Sequence, residues 1–418
     1  NAHREHGELF TIPILNKRLT FVVGADAHEV FCRGTDEELD QTEVYKFSVP
    51  VFGKGVVYDV PLDIRYQQYR WLSQGLRVDK LKSYVPMMVM EIEQYFGLLP
   101  NEGEMELFET LSQLIVLTSS RCLLGREARE QMFSRLSYLI HDLDQGMQPI
   151  SVFAPYLPIE AHRKRDAAHI EMKAIFNKVI ENRKKTGAKE PDLLQTFIDG
   201  VYKDGTPLKN DEIIGLLIAG LFAGQHTSSI TSTWTGLHIL TDKKWLDKVS
   251  KEQEQIRGQM GDEINFEVLN KMDNLHNCMK ETLRLHPPLM FLIRYVLKEM
   301  QFKDMVIPEG DYMFLSPTLS GMEAKTFTNP QKWDPERFEA HRAEDKKAPF
   351  AYVGFGGGRH GCMGEQFAYL QVKAIWTVLF RNFDLEFVAK KFPLPQQDAL
   401  VVGPTPPCTV RYRRKHPK

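Results

Sequence analysis

The chain has 418 residues, 43% of them hydrophobic and 26% charged. That is ordinary globular composition, and it excludes a disordered chain, a collagen and a coiled coil. The length suits two or three domains or one unusually large one. The 53 basic residues face 55 acidic ones, a formal charge of −2, so there is no overall basic field for a nucleic acid to meet.

Five scattered cysteines are too few for a disulfide framework and point to a reducing compartment. No run reaches the 18 apolar residues that would span a bilayer. The chain opens on Asn1 and shows no signal peptide, which is consistent with an anchor upstream of this sequence.

In chain order, Arg18 to Gly24 alternates and ends on glycine, so it reads as a strand. Asp26 to Cys32 reads as a short helix with Asp26 as its cap. Tyr45 to Pro61 is aromatic and punctuated by glycine, which suggests an ordered loop. Helical periods dominate from Gln67 to about Asn277, broken at prolines such as Pro149, Pro158 and Pro191. The longest helix is expected from Asp211 to Leu240, and its stretch Ile213 to Gly224 is apolar all round and so buried. Phe291 to Leu297 and Asp311 to Leu319 read as strands. A glycine-rich loop leads into a helix from Cys362 to Phe380, and Cys408 to Lys415 closes as a strand with a basic tail. The expectation is one large, mainly helical domain over 1–418, with β-rich parts near 8–24, 289–320 and 383–413.

The segment Phe355 to Gly364, FGGGRHGCMG, carries the clearest chemistry. A lone cysteine opening a helix sees the positive end of the dipole, which favours thiolate. The glycines let backbone approach a large flat group. A soft thiolate without a second cysteine suits one axial bond to haem iron; a glycine turn with a buried thiol is the plainer alternative. Zinc is a poor fit, since His360 and Cys362 are only two ligands. Glu281 and Arg284 stand three apart on a helix and can pair, which by itself reads as a common surface ion pair. Arg337, in Asp334 to Phe338, could join them in a buried network. In Ala223 to Ser229, AGQHTSS, Thr227 can bond back one turn and bend a buried helix, or simply be satisfied in the core.

Taken together and in this order, A-G-x-x-T, E-x-x-R, P-E-R-F and the glycine-rich cysteine loop resemble the haem-thiolate monooxygenases, the cytochrome P-450 superfamily, from Leu19 onward. The resemblance implies a helical prism around a buried haem b. It implies Cys362 as iron ligand, Glu281, Arg284 and Arg337 as a structural network, and Thr227 steering protons to bound O2. Two departures narrow it: His360 stands where arginine is usual, and His226 where an acid is usual. Both, together with Tyr45 to Pro61, resemble the sterol 14α-demethylases. That family oxidises the sterol 14α-methyl group three times, through alcohol and aldehyde, releasing formate and leaving a 14,15 double bond.

The same resemblance places Tyr45, Tyr58, Arg294 and His360 at the haem propionates, Phe355 and Gly356 against the cofactor, and one further partner among Tyr66, Tyr69 and Arg70. It places Tyr45, Phe47, Phe52, Val57, Tyr58, Ala219, Phe222, Ala223, Thr227, Leu289, Phe291, Leu400 and Val401 around the substrate. Phe47 implies preference for sterols with one methyl at C4. His226 would carry protons through its imidazole. No flavin or iron–sulfur motif is visible, so electrons must arrive through a separate reductase, which the resemblance implies draws on NADPH. Lys80, Lys82, Lys373 and Arg381 are candidate attractors for it. The resemblance further implies an endoplasmic-reticulum membrane anchor and azole inhibitors binding the haem iron. Ser151 to Pro158 is apolar and broken by proline, so it reads either as part of a membrane-facing lid or as a plain mobile loop. The rival readings are a monooxygenase of fatty acids or xenobiotics and a non-catalytic haem sensor or carrier. A hydrolase is disfavoured because G-x-S-x-G and H-E-x-x-H do not occur.

Overall fold

The apolar run after Asp211 forms the spine of the molecule. In the computed structural model, which describes residues 2–14, 16–396 and 401–417, a helix runs unbroken from Asn210 to Thr241. Asp211 and Glu212 sit in its first turn, where the dipole favours negative charge. Glu212 also accepts the Lys209 amide N–H at 2.8 Å. Among the described residues it is the one helix long and apolar enough to cross a membrane, but 61% of its most apolar window is buried in the fold. It is a core helix with others packed around it, at Leu107–Ser119, Lys243–Met260, Asp273–Leu285 and Glu365–Asn382. The last of these approaches so closely that a Cβ at Gly236 would fall 1.9 Å from the Trp376 ring. Trp376 Nε1 donates to the Ser232 carbonyl at 3.1 Å across the same gap.

Five strands form the main sheet. They are β1 (Leu9–Ile14), β2 (Lys17–Val22), β3 (Leu39–Asp40), β5 (Leu292–Val296) and β8 (Tyr312–Leu315), in the order β1-β2-β8-β5-β3. Only β2 and β8 run parallel. A second sheet joins β4 (Glu102–Glu106), β10 (Thr409–Arg414) and β9 (Phe383–Phe387). Along β10, Val410 and Tyr412 point inward, while Arg411 reaches Glu104 and Glu386 at 3.1 Å. A two-stranded ribbon, β6 (Met300–Phe302) with β7 (Met305–Ile307), completes the β content.

Several sequence expectations shift here. The short helix expected at Asp26 to Cys32 runs Ala25–Arg33 with Gly24 before it, so Asp26 lies in the first turn instead of capping. Phe291 precedes β5, and the segment after Leu315 turns into a helix, Pro317–Gly321, because Ser316 Oγ accepts the Leu319 N–H at 3.3 Å. Tyr45 to Pro61 contains short helical turns, at Lys46–Ser48, Val49–Phe52 and Val57–Asp59, where a loop was expected. The Cys362 helix begins at Glu365, which leaves the cysteine on the loop before it. Lys373 is buried and so unavailable as a surface charge, Lys82 is held by Glu267 at 2.8 Å, and Arg381 donates to the Asp262 carbonyl at 2.8 Å.

Glu281, Arg284 and Arg337 do come together, all nearly or wholly buried. Arg284 donates twice to Glu281, at 2.7 and 2.8 Å, and Arg337 Nε lies 3.0 Å from both carboxylate oxygens. Glu344, which the sequence did not suggest, takes the Arg337 Nη1 at 2.7 Å. Removing one partner from such a cluster strands a buried charge. Arg337→Met is therefore expected to destabilise the fold by about 3–5 kcal/mol, read from urea unfolding; a loss within error would reject the network's structural role.

Candidate functional site

The cysteine loop is shaped by glycines pressed against backbone. The Cys362 N–H donates to the Phe355 carbonyl at 2.9 Å, closing the loop. Gly356 and Gly358 have φ of 71° and 65°, the left-handed region that glycine enters freely. A Cβ at Gly358 would sit 1.9 Å from the Cys32 carbonyl oxygen. Of the five cysteines, Cys362 alone is exposed. The surrounding protein still raises its thiol pKa, and the N–H groups of Gly364 and Glu365, directed at the sulfur, offset this only in part.

The central helix borders an open space in mid-run. Leu221 and Phe222 are buried, but Ala223 beside them is exposed and Ala219, Gly220 and Thr227 are partly so. Ring contacts link this stretch to the Tyr45–Pro61 segment, with Phe222 and Phe52 at 6.4 Å and Tyr45 stacked on Tyr58 at 5.2 Å. Tyr45 Oη accepts the Ile293 N–H at 3.5 Å, which brings in β5. Gly356 in turn faces Leu292. The Val402 N–H donates to the Pro288 carbonyl at 2.8 Å, which brings Val401 beside exposed Leu289. Leu400 lies outside the described residues.

Two polar side chains follow on this stretch of the helix. Thr227 Oγ1 donates to the Ala223 carbonyl at 2.7 Å, as its spacing predicted, but the helix stays continuous and no break opens. Nε2 of His226 lies 2.8 Å from the Asp144 carboxylate on the neighbouring helix Phe133–Gln145. That bond raises the imidazole pKa against the opposing effect of burial.

On the other side, Nε2 of His360 is already engaged by Asp36 Oδ1 at 2.6 Å, and the Tyr66 hydroxyl donates to Oδ2 of the same carboxylate. Tyr66 is thereby tied to Asp36, and Arg70 is exposed. Tyr69 pairs with Tyr58, whose hydroxyl burial holds well above its usual pKa. Val57, expected to line a cavity, is buried with φ of 48°, unusual for a β-branched residue. Gln68 Oε1 accepts its N–H and Arg65 Nε donates to its carbonyl, both at 2.8 Å. Asp36, Asp144, Arg65 and Gln68 escaped the sequence reading because common polar residues in loops and helices carry no motif of their own.

The cytochrome P450 family profile matches residues 1–411. The chain belongs to the cytochrome P450 family. It is 48% identical to the obtusifoliol 14-alpha demethylase of Sorghum bicolor over 417 residues, covering 98% of this chain and 84% of that protein. The sterol 14-demethylase of Arabidopsis thaliana is 48% identical over 415 residues, with 98% and 85% covered. The lanosterol 14-alpha demethylase of Rattus norvegicus is 38% identical over 418 residues, with 99% and 82% covered. A cyanobacterial CYP120A1 with retinoic acid bound shares the P450 fold, with a TM-score of 0.87 at 22% identity, over 99% of this chain and 93% of that one.

P450 enzymes are oxidoreductases that use O2, an external electron donor and a haem whose iron a cysteine thiolate holds. The residues present fit such a group. Arg294 is buried over the Phe31 ring and bonds only to the Ile293 carbonyl at 2.8 Å. Among the described residues no carboxylate lies within ion-pair distance of it. A buried guanidinium without a counter-ion calls for an anionic group such as a propionate. Gly358→Ala forces a Cβ into the Cys32 carbonyl at a positive φ, so a stability loss of about 1–3 kcal/mol is expected. An unchanged melting curve would show that the loop does not depend on that contact.

Proposed function

We propose that this P450 is a sterol 14α-demethylase. The observation that carries the reading is identity of 48% along 98% of the chain to enzymes named for that reaction. The haem, bound through Cys362, supplies oxidation of the 14α-methyl carbon. Arg294, Tyr45, Tyr58, Tyr69 and His360 would hold its propionates, and Phe355 and Gly356 would lie against it. Among the three candidates for the extra propionate partner, Tyr69 is favoured because it sits with Tyr58 and near Arg294, while Arg70 is exposed.

The chain's own residues then bind, orient and move protons. Phe47, Phe52, Phe222, Ala223, Leu289 and Phe291 offer an apolar surface to a flat steroid skeleton. Thr227 passes protons at its Oγ1. His226 receives them from the solvent side through Asp144, which is a quarter exposed. The imidazolium donates only below its pKa, and Asp144 sets that limit higher. The electrons come from an NADPH-dependent reductase, azoles bind at the iron, and an anchor holds the enzyme on the endoplasmic reticulum with the catalytic part facing the cytosol. Exposed Phe153 and Tyr156, at 79% and 67%, support a membrane-facing role for Ser151 to Pro158.

The test is incubation of the holoenzyme with NADPH, reductase and purified 14α-methyl sterols, following formate. Release from a C4-monomethyl sterol faster than from its C4-dimethyl analogue is expected; release from neither rejects the reading. Phe47→Leu should narrow that preference by freeing space beside the sterol A ring, which product ratios from mixed substrates would show. His226→Ala should slow turnover about 10²-fold with the haem spectrum unchanged. Asp144→Asn should move the alkaline fall of turnover to lower pH, because the imidazole loses the bond that raises its pKa. An unmoved pH profile would exclude this pair from proton delivery.

A further inference from the structure

Seven buried cations occur among the described residues: Arg65, Arg165, Arg183, Arg284, Arg294, Arg337 and Lys373. Five have a carboxylate within ion-pair distance, at Asp40, Asp166, Asp192 and twice at Glu281. Arg294 is one exception, and the family's haem accounts for it. Lys373 is the other. It is 5% exposed, and its Nζ donates to a single partner, the Leu269 carbonyl at 3.0 Å. An ammonium has three donors, so two lack a protein partner.

The side chain lines a cavity of about 220 Å3 between the helices Phe266–Asn270, Asp273–Leu285 and Glu365–Asn382. Gln366, Tyr369, Leu370 and Lys373 form one face of the last helix, and Asn270, Asp273 and His276 close the other side. Among the described residues neither ring nitrogen of His276 has a hydrogen-bond partner, and its ring packs on Tyr369 at 4.3 Å. The space holds several waters or one small oxyanion. The reasoning that gives Arg294 a propionate therefore applies to Lys373.

We infer that this cavity is a binding site for a small oxyanion, a phosphate or carboxylate group, held by Lys373 with His276, Asn270 and Gln366 as further donors. The site does not depend on the demethylase reading. Two carboxylates face Lys373: Asp273 on the rim and Glu252, whose oxygens accept the Asn274 and Leu275 N–H groups at 2.6 and 3.1 Å. Lys280, the other cation near His276, is paired with Asp345 at 2.5 Å. Burial outweighs both carboxylates and brings Lys373 down to about 8. Burial, then Lys373 and Lys280, bring His276 down to about 3. Both shifts mark groups whose charged form lacks support, and a bound anion would supply it. Tyr369 also packs on Phe355 at 5.1 Å, so an occupant would adjoin the wall behind the cysteine loop.

The experiment is calorimetric titration of the holoprotein at pH 7 with sodium phosphate, and separately with sodium acetate, each against sodium chloride at equal ionic strength. Saturable binding of either oxyanion above the chloride baseline is expected, and the two arms tell a phosphate group from a carboxylate. Lys373→Gln should weaken it about tenfold. Asp273→Asn should tighten it about threefold by removing the rim charge, which keeps the test decisive if Lys373→Gln folds poorly. Affinity should fall as pH rises past about 8, when Lys373 loses its proton. No saturation with either anion, or affinity indifferent to both substitutions, overturns the site.

Discussion

The carboxylate of Glu281 is wholly buried and receives both Arg284 and Arg337, and the rest of the site is built out from that junction. Through Arg284 it reaches the carbonyls of Pro330 and Lys332, and through Arg337 the carbonyl of Thr328 and the carboxylate of Glu344. A charged group so deep is tolerable only when every partner is in place. Irregular chain between Gly321 and Phe355 is thereby held by hydrogen bonds in place of strands. That gives the cysteine loop a rigid base, which is what one precisely placed sulfur requires.

The same rule, that buried charge needs an opposite partner, organises the functional regions. Among the described residues Arg294 has no carboxylate within reach, which suits the anionic edge of a cofactor as proposed above. Lys373 without one marks a second place where the protein leaves a charge unanswered. His226 with Asp144 is the complementary case, a partnered imidazole kept partly open to solvent and so free to exchange protons. His360 departs from the simple expectation because Asp36 already engages one edge of its ring. The ring is thereby fixed in orientation by the loop between the helix Ala25–Arg33 and β3, with Tyr66 on the same carboxylate.

Much of the site was legible in the order of the motifs. Cys362, Thr227, Glu281, Arg284 and Arg337 sit in short patterns whose residue types the chemistry restricts; the Thr227 back-bond and the Glu281–Arg284 pair follow from spacing, while Arg337, 56 residues from Glu281, was placed beside them only by the family resemblance. The central helix was legible because an uninterrupted apolar run has one way to hide its backbone. The strands near residue 316 were less so: Ser316 followed by Pro317 caps a helix, and that local signal outweighs the alternation before it.

What remained for the tertiary structure was everything that depends on two distant segments meeting. Lys373 reads as a surface charge on its helix, yet three helices close over it. Asp144 and Asp36 are unremarkable in sequence and become partners of His226 and His360 across separations of 82 and 324 residues. The reactivity of Cys362 shows the division most clearly. Its sequence context places a thiol next to free N–H groups, which favours thiolate, while the packing around it pushes the thiol pKa the other way. Sequence determines which groups a helix end or a turn can offer, since those are local matters of hydrogen bonding. Burial is a property of the whole fold, and it decides which of those groups stay charged, which find partners and which are left waiting for a ligand.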